Sequence, residues 1–464
     1  MNFKEELLQK IEKRQAKVAV IGMGYVGLPL MVAFAEAGFP VVGVDVDVQK
    51  VEMLNRGESY IEDVTDAVLR PLVADGRIRA SADYAVVADV DAISICVPTP
   101  LRKTKDPDIS YIINAADNIA RHGGAGKLII LESTTYPGTT EELIVPELES
   151  SGLKVGKDFF VAFSPERIDP GNTSFNTHNT PKIVGGITPQ CTEIARLFYS
   201  QFIERVIPVS SSKCAEMVKL LENTFRSVNI GMVNELAQMC DLLGVDVYEV
   251  IDAAATKPFG FSPFYPGPGL GGHCIPIDPH YLAWKLKALN FQARFIGLAA
   301  EINGMMPTFV ASLVADGLNG ASKSIRGSKI MVLGVAYKKN VSDCRESPAL
   351  DVMRLLSDKG AILSYNDPFV PSLRLNGEVL KSIELSGAEI AKQDCVIILT
   401  DHSAYDIRQI VAAAKLVVDT RNATKDLHEF KNRIIKLGAG NNVRKDSGPG
   451  DEHEIFPAEE SATH

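Results

Sequence analysis

The 464-residue chain lacks the features that mark several large classes of protein. Its seven cysteines include no Cys-x-x-Cys pair, which argues against a disulfide framework and a zinc site, so we expect no metal. It has no excess of basic residues, and a net charge of −10 argues against nucleic acid as a partner. We see no apolar run long enough to span a membrane and no signal peptide, which predicts a cytoplasmic protein.

A glycine-rich turn near the N-terminus has the sequence and the context of a dinucleotide-binding fingerprint. The turn follows a short apolar strand at 17–21 and precedes a helical segment, and an acidic residue ends the next strand about 20 residues later. A carboxylate there accepts the ribose 2′-hydroxyl and repels a 2′-phosphate, so NAD is predicted as the cofactor rather than NADP. The predicted cofactor-binding residues of this motif are Gly22, Gly24, Tyr25, Val26, Gly27 and Asp45.

Short apolar strands alternate with helical segments at both ends of the chain, which predicts two parallel sheets covered by helices. In the first part, strands at 91–97, 128–131 and 159–163 end in polar loops that contain Thr99, Thr134 and the pair Glu166-Arg167. Ligands of open α/β sheets bind outside such strand ends. The pattern returns in a smaller second sheet, with strands predicted at 330–336, 362–367, 396–399 and 416–419.

Between the two predicted sheets the pattern is helical. Apolar residues from 217 to 236 predict a long helix with one buried face, ended by Gly244, and a second long helix is expected from Pro279. The predicted fold class is therefore α/β, with two Rossmann-like doubly wound parallel-sheet domains joined by a central helical domain with long helices. The expected boundaries are 1–208, 209–320 and 321–440, followed by a polar, acidic and disordered tail at 441–464.

The segment 269–279, GLGGHCIPIDP, places a thiol on a glycine-rich turn with a carboxylate four residues later. Glycines let the backbone come close to a ligand, and a cysteine held there acts as a nucleophile once its thiolate is favoured. Taken alone, Cys274 is better explained as a buried residue of the turn, with Asp278-Pro279 starting the next helix. The dinucleotide fingerprint favours instead an oxidoreductase that holds its intermediate covalently.

Together these motifs resemble those of the nucleotide-sugar 6-dehydrogenase family, the relatives of UDP-glucose dehydrogenase, over about residues 15–435. The resemblance implies an enzyme that oxidises a primary alcohol to a carboxylate in two NAD-dependent steps. The cysteine segment and the loop before it are most similar to the branch acting on UDP-N-acetylhexosamines, with UDP-N-acetylglucosamine as the first expectation, for surface polysaccharide biosynthesis. UDP-N-acetylmannosamine, UDP-N-acetylgalactosamine and UDP-glucose remain open as substrates.

The resemblance also implies roles for individual residues. Cys274 matches the family nucleophile, and Lys219 and Asn223, one helical turn apart, match a pair that stabilises oxyanion charge and positions water with Asp278. The implied catalytic residues are Cys274, Lys219, Asn223, Asp278, Glu166 and Thr134. The implied cofactor contacts beyond the glycine turn are Thr99, Thr134 and Arg345. The implied substrate contacts are Glu166, Arg167, Lys219, Asn223, Lys257, Gly271, Lys338 and Arg421. His273, although adjacent to the cysteine, is expected to point away from the reaction.

One departure from the family pattern bears on the substrate. UDP-glucose enzymes carry an arginine in the loop before the cysteine, whereas this loop has Lys257 and no arginine, which disfavours UDP-glucose. Two alternatives share part of the pattern, namely a one-step β-hydroxyacid dehydrogenase and a non-catalytic nucleotide-binding protein. Neither explains why Cys274 occurs together with Asp278. The aromatic loop and the apolar central helices predict a homodimer or a higher homo-oligomer.

Overall fold

The computed structural model describes residues 2–61, 63–102, 106–168, 175–272 and 274–440. The described residues form two compact units. The first comprises the residues up to Val228 together with Gly271–Glu301, and the second comprises Asn229–Leu270 together with the residues from Ile302 onward. The predictions for His273 and for the tail at 441–464 concern positions outside the described residues.

The first unit is built on an eight-stranded sheet. Its strands are β1 (Val18–Ile21), β2 (Val41–Val44), β3 (Ile78–Ser81), β4 (Ala92–Ile95), β5 (Leu128–Leu131), β6 (Phe160–Phe163), β7 (Lys182–Gly186) and β8 (Val206–Pro208). The strand order is β3-β2-β1-β4-β5-β6-β7-β8, and neighbouring strands are parallel except for the pair β6 and β7. The carboxyl ends of β1, β4, β5 and β6 therefore lie along one edge of the sheet, which confirms the predicted parallel arrangement.

Helices cover both faces of this sheet. They are α1 (Phe3–Glu12), α2 (Gly27–Glu36), α3 (Val48–Asn55), α4 (Asp66–Ala74), α5 (Ser110–His122), α6 (Val145–Glu149) and α7 (Pro189–Tyr199), with short helical turns at Tyr84–Asp89 and Thr140–Ile144. Alternate residues of β1 enter different cores, since Val18 and Val20 pack on one face and Ala19 and Ile21 on the other. Burial on both faces explains why the strands are apolar throughout rather than alternating.

Four further helices follow the first sheet. They are α8 (Ser212–Leu243), α9 (Val247–Ala255), α10 (Asp278–Lys287) and α11 (Arg294–Gly320). Gly244, with a φ of 72°, directly follows α8 as predicted. The prediction of a long helix from Pro279 is wrong, because α10 has 10 residues. Asn290, with a left-handed φ of 55°, lies in the non-helical segment between α10 and the long helix α11.

The apolar residues of α8 do not form one buried face. Leu220 is fully buried, but Leu221, Phe225 and Met232 are 60%, 51% and 53% exposed. The predicted buried face is therefore wrong for these positions. The helical spacing shows which side chains share a face, but it does not show whether the same chain covers that face.

The second unit contains a parallel sheet, as predicted, but it has five strands rather than the four predicted, because the strand at Ile434–Lys436 was not foreseen. Its strands are β9 (Lys329–Leu333), β10 (Ile362–Asn366), β13 (Cys395–Ile398), β14 (Val417–Asp419) and β15 (Ile434–Lys436) in the order β10-β9-β13-β14-β15, beside the antiparallel hairpin of β11 (Ser372–Leu375) and β12 (Glu378–Lys381). The covering helices are α12 (Pro348–Asp358), α13 (Gly387–Ala391) and α14 (Ile407–Ala413), with a helical turn at His428–Arg433. Apolar cores lie on both faces of this sheet as well.

The helix α11 is long and apolar enough to span a membrane by length and composition. The expectation that no segment reaches this length is therefore wrong by that criterion. Half of its most apolar window is buried inside the protein. A core helix of a soluble protein has the same properties, so this observation is weak support for a membrane span.

Candidate active site

The glycine turn after β1 has the geometry that a dinucleotide requires. Gly22 adopts a φ of 90°, and a Cβ there would lie 2.6 Å from the Cys96 carbonyl oxygen. A Cβ at Gly27 would lie 1.9 Å from the Gly22 carbonyl oxygen, so the last glycine is required for helix–turn packing. A Cβ at Gly24 would contact nothing within 4 Å, which leaves open space beside the N-terminus of α2. The turn therefore fits a bound pyrophosphate.

Asp45, directly after β2, is fixed against this turn. Its Oδ2 accepts a hydrogen bond from the Met23 backbone N–H at 2.8 Å, and its Oδ1 accepts one from the Asp47 N–H at 3.0 Å. The Lys50 ammonium lies 3.9 Å from Oδ2. The carboxylate is thus held beside the glycine turn, where it can accept a ribose hydroxyl, and these residues fit a bound NAD.

Polar loops meet where β4 and β5 end. The Ser133 hydroxyl donates to the Val97 carbonyl at 2.8 Å, which ties the loop of the half-buried Thr134 to the loop of Thr99. The fully buried Tyr281 on α10 donates its hydroxyl to the Thr99 carbonyl. Tyr281 could not be predicted from the sequence, since a tyrosine on a helix carries no signal for a partner 182 residues away.

Two side chains of α8 reach other predicted site residues. The Lys219 ammonium donates to the Glu166 backbone carbonyl at 2.6 Å, and the Asn223 amide donates to Asp278 Oδ2 at 2.5 Å. The side chains of Lys219, Asn223 and Asp278 are all buried. The structure therefore brings together four residues that are spread over more than 100 positions of the sequence.

The carboxyl group of Asp278 is tuned by its surroundings. Burial raises its pKa from the usual 3.8 to about 6, although the Lys219 charge and the Asn223 hydrogen bond partly oppose that shift. A carboxyl group with a pKa near neutrality exchanges protons readily at physiological pH. Asp278 is therefore suited to general acid–base chemistry.

Cys274 lies one turn before Asp278. Its carbonyl oxygen accepts the backbone N–H groups of Ile277 at 3.0 Å and Asp278 at 2.8 Å, and its side chain is half-buried. Gly272, with a φ of 88°, lets the chain turn just before the thiol. Ile277 rather than Asp278 occupies the N-cap position of α10, and the Asp278 carboxylate binds Asn223 instead. The simple interpretation of Asp278 as a capping residue therefore does not hold.

Glu166, in the loop after β6, is held in its charged form. Its Oε1 accepts the backbone N–H groups of Arg167 at 2.8 Å and Ile168 at 2.7 Å, and its Oε2 lies 3.5 Å from the Lys182 ammonium. Burial alone would raise its pKa, but Lys182, the Ile168 N–H and Lys219 together outweigh burial and lower it. Lys182 could not be predicted from the sequence, because a lysine at the start of a strand is usually solvated.

The guanidinium of Arg167 is already paired within the first unit. It binds the Glu222 carboxylate on α8 at 2.6 Å and the Pro181 carbonyl at 2.5 Å. This pairing fixes the loop that carries Glu166 against α8. The predicted substrate contact of Arg167 remains a prediction.

The other predicted substrate and cofactor residues divide between the two units. Gly271 belongs to the first unit, whereas Lys257, Lys338, Arg345 and Arg421 belong to the second. In the second unit, Arg421 Nε donates to the Leu399 carbonyl at 2.8 Å, at the carboxyl end of the parallel sheet. A Cβ at Gly267 would lie 2.6 Å from its guanidinium, so the aromatic loop approaches Arg421 closely. The roles of these residues remain predictions.

Three consecutive segments of the chain match the three domains of one family. Residues 16–203 match the NAD-binding domain of the UDP-glucose/GDP-mannose dehydrogenase family. Residues 213–305 match its central domain, and residues 331–426 match its UDP-binding domain. The matched segments follow the predicted domain order.

Individual relatives extend over most of the chain. The UDP-N-acetyl-D-mannosamine dehydrogenase of Methanococcus maripaludis is 36% identical over 421 residues, covering 88% of this chain and 92% of that protein. The NDP-N-acetyl-D-galactosaminuronic acid dehydrogenase of Ralstonia nicotianae is 35% identical, covering 87% and 95% respectively. The solved structure of a UDP-D-ManNAc dehydrogenase from Pyrococcus horikoshii superimposes with a TM-score of 0.83 at 34% identity, covering 91% and 99%.

The comparisons agree with the geometry of the first unit. The glycine turn and Asp45 lie within the matched NAD-binding domain, and Lys219, Asn223, Cys274 and Asp278 lie within the matched central domain. The resemblance found in the sequence is thereby confirmed. The chain belongs to the UDP-glucose/GDP-mannose dehydrogenase family and is an NAD-dependent nucleotide-sugar dehydrogenase.

Proposed function

We propose that the protein oxidises the 6-hydroxymethyl group of a UDP-N-acetylhexosamine to a carboxylate through a covalent intermediate on Cys274. The observation that carries this proposal is the contact of Asn223 with Asp278, one turn from Cys274 and beside Lys219. A carboxyl group with a pKa of about 6, close to the Lys219 charge and one turn from the Cys274 thiol, supports the assignment of Cys274 as the nucleophile. A one-step dehydrogenase has no use for the thiol in this set.

The reaction balances as one primary alcohol, two NAD⁺ and one water giving one carboxylate, two NADH and three protons. NAD⁺ bound by the glycine turn and Asp45 would accept one hydride in each oxidation, with the NADH from the first replaced by a second NAD⁺ before the next. Lys219 and Asn223 stabilise the negative charge that develops on the substrate oxygen. Asp278 accepts the proton that leaves the substrate hydroxyl.

The thiol retains the substrate between the two oxidations. After the first oxidation, the Cys274 sulfur adds to the aldehyde carbon and forms a thiohemiacetal, whose oxygen becomes protonated. Loss of a second hydride and a proton from this adduct gives a thioester. Water then attacks the thioester carbon with Glu166 as the base, the carbon–sulfur bond breaks, and the Cys274 thiolate leaves from the carboxylate product.

The cysteine segment and the named relatives point to different sugars. The cysteine segment resembles UDP-N-acetylglucosamine enzymes, whereas the relatives from M. maripaludis and P. horikoshii are named for UDP-N-acetylmannosamine. We place UDP-N-acetylmannosamine first and UDP-N-acetylglucosamine second. The absence of an arginine in the loop with Lys257 supports both over UDP-glucose.

A panel of four UDP-sugars tests this assignment. The enzyme is incubated with NAD and with UDP-N-acetylmannosamine, UDP-N-acetylglucosamine, UDP-N-acetylgalactosamine or UDP-glucose, and NADH and the acid are quantified. We expect the highest kcat/KM with an N-acetylhexosamine and two NADH per acid. Preferential oxidation of UDP-glucose would contradict the proposed substrate class, and one NADH per sugar would contradict the four-electron reaction.

We further propose a cytoplasmic homodimer that binds neither nucleic acid nor a membrane. The net charge of −10 and the seven cysteines without a Cys-x-x-Cys pair support this location and these exclusions. The exposed apolar side chains of α8 support self-association, since large exposed apolar patches mark interfaces.

A further inference from the structure

A buried lysine connects two buried carboxylates behind the proposed hydrolytic site. Lys182 begins β7, and its ammonium lies 2.5 Å from Glu132 Oε2 and 3.5 Å from Glu166 Oε2. The side chains of Lys182, Glu132 and Glu166 are 7%, 0% and 17% exposed. Glu132 follows β5 and Glu166 follows β6, so the three groups join three adjacent strands of the sheet.

The two carboxylates are not equivalent partners. Burial raises the pKa of Glu132 more than its partner Lys182 lowers it, whereas Lys182 and backbone N–H groups hold the pKa of Glu166 low against the effect of burial. Glu132 also accepts a hydrogen bond from the Tyr199 hydroxyl. Thus Glu132 anchors the ammonium at 2.5 Å, and Glu166, which also accepts backbone N–H groups of its own loop, carries the negative charge on the other side of Lys182.

The other charged and titratable groups around Glu166 come from four elements. Lys219 on α8 adds a second cation, and Cys96 after β4 and Tyr199 on α7 carry buried groups that stay protonated because burial raises their pKa values. Arg167 is occupied by Glu222 on α8. Lys182 is therefore the cation in contact with the Glu166 side chain, whereas Lys219 binds the backbone carbonyl of the same residue.

We propose that Lys182 is a positioning residue for thioester hydrolysis, whose ammonium is anchored on Glu132 and holds the Glu166 carboxylate charged and in place to activate water. This inference rests on the proposed function, because it assigns Glu166 to the hydrolytic step. It predicts that a residue without substrate contact controls the pH dependence of the reaction. The alternative is that Lys182 only neutralises Glu132 in the core.

Paired variants separate the two explanations. Lys182→Met alone leaves two buried carboxylates without their cation, so it is combined with Glu132→Gln, which restores charge balance in the core. Glu132→Gln alone is the matched control, because it removes the Glu132 charge but keeps a side-chain oxygen that can accept from the Lys182 ammonium beside Glu166. Lys127→Met is a second control, since that buried lysine donates to the Ala88 and Val90 carbonyls and lies away from Glu166.

The expected result is a change in pH dependence that only the variants without Lys182 show. In Lys182→Met/Glu132→Gln, the acidic limb of the kcat profile shifts upward by about 1–3 pH units relative to Glu132→Gln. At about pH 5 kcat falls by about tenfold or more, KM for the UDP-sugar changes little, and the acyl-enzyme accumulates in intact-protein mass spectra. Lys127→Met retains the wild-type profile and shows no accumulation.

An independent readout keeps this inference separate from the substrate assignment. Infrared difference spectra report the carbonyl band of a protonated Glu166, which is identified by its loss in Glu166→Gln. We expect this band at about pH 5 in the double variant and not in Glu132→Gln. A double variant with the profile and the spectrum of Glu132→Gln would overturn the role of Lys182. Failure of the wild-type enzyme to oxidise any UDP-sugar would overturn the proposed function, and the infrared result would still decide the state of Glu166.

Discussion

Asp278 shows how a single residue can be costly to the fold and useful to the reaction. Its carboxyl group is almost fully buried at the start of α10, and it is satisfied by one amide from Asn223 and by the nearby Lys219 charge. Burial favours the protonated form, which is why the pKa is raised to about 6. Ionisation of the buried Asp278 carboxyl group therefore lowers the free energy of unfolding of the protein.

This penalty predicts a pH-dependent effect of Asp278→Asn on stability. Between about pH 4 and pH 6 the folded wild-type protein binds more protons than the unfolded chain, so its free energy of unfolding falls as the pH rises through this window. Asparagine cannot ionise. The variant should therefore gain about 1–3 kcal/mol relative to wild type between pH 4.5 and pH 7.5, measured by urea unfolding.

The same variant should lose activity even where it gains stability, because it cannot exchange a proton. A stability difference that is constant with pH would show that Asp278 has an ordinary pKa in the folded protein.

At the residue scale, we expect Asp45 to determine the choice between NAD and NADP. Its carboxylate is fixed beside the glycine turn by the Met23 N–H, where a 2′-phosphate would meet a like charge. We expect kcat/KM for NAD to exceed that for NADP, and Asp45→Ser to lower this ratio by about tenfold or more. Asp47→Ser is the control, because that carboxylate caps α3 through the Gln49 N–H. Equal use of both cofactors by the wild-type enzyme would contradict this role.

At the scale of elements, two glycines of the β1–α2 turn are expected to have different roles, Gly27 in packing and Gly24 in ligand binding. Gly27→Ala places a methyl group against the Gly22 carbonyl oxygen, so we expect a loss of about 1–3 kcal/mol of stability together with NAD affinity. Gly24→Ala meets no protein atom and should change apo stability by less than about 0.5 kcal/mol. It should still weaken NAD binding, because its methyl group enters the open space beside α2.

Thermal unfolding with and without NAD measures both effects in these two glycine variants. Equal destabilisation of the two apo variants would contradict the division between a packing glycine and a ligand glycine.

The elements that could be predicted from the sequence are those determined by local pattern. Apolar strands that end in glycine or polar residues predicted the central strands of both sheets, and Gly244 predicted the end of α8. The strands β3, β7, β8 and β15 were not predicted. The length of α10 was not predictable, because the break near Asn290 depends on a left-handed backbone in a stretch without glycine or proline. Lys182 and Tyr281 were missed because burial and partners distant in sequence decide their roles.

For the whole molecule, the exposed apolar side chains of α8 predict a dimer. We expect the wild-type protein to sediment as a dimer at micromolar concentration, and Leu221→Glu, at a position that is 60% exposed, to shift it toward monomer. Val379→Glu is the matched control, because Val379 is equally exposed but lies on the hairpin strand β12. A wild-type monomer, or equal effects of both substitutions, would contradict this interface.

The central claim for the whole enzyme is that Cys274 carries the substrate through both oxidations. The most direct test is Cys274→Ala, assayed as NADH formed per UDP-sugar consumed, with the acid detected by mass spectrometry. We predict that the variant still binds NAD and the UDP-sugar but forms almost no acid, because no thiol can hold the aldehyde for the second oxidation. A Cys274→Ala enzyme that forms two NADH per sugar at close to the wild-type rate would contradict the covalent mechanism.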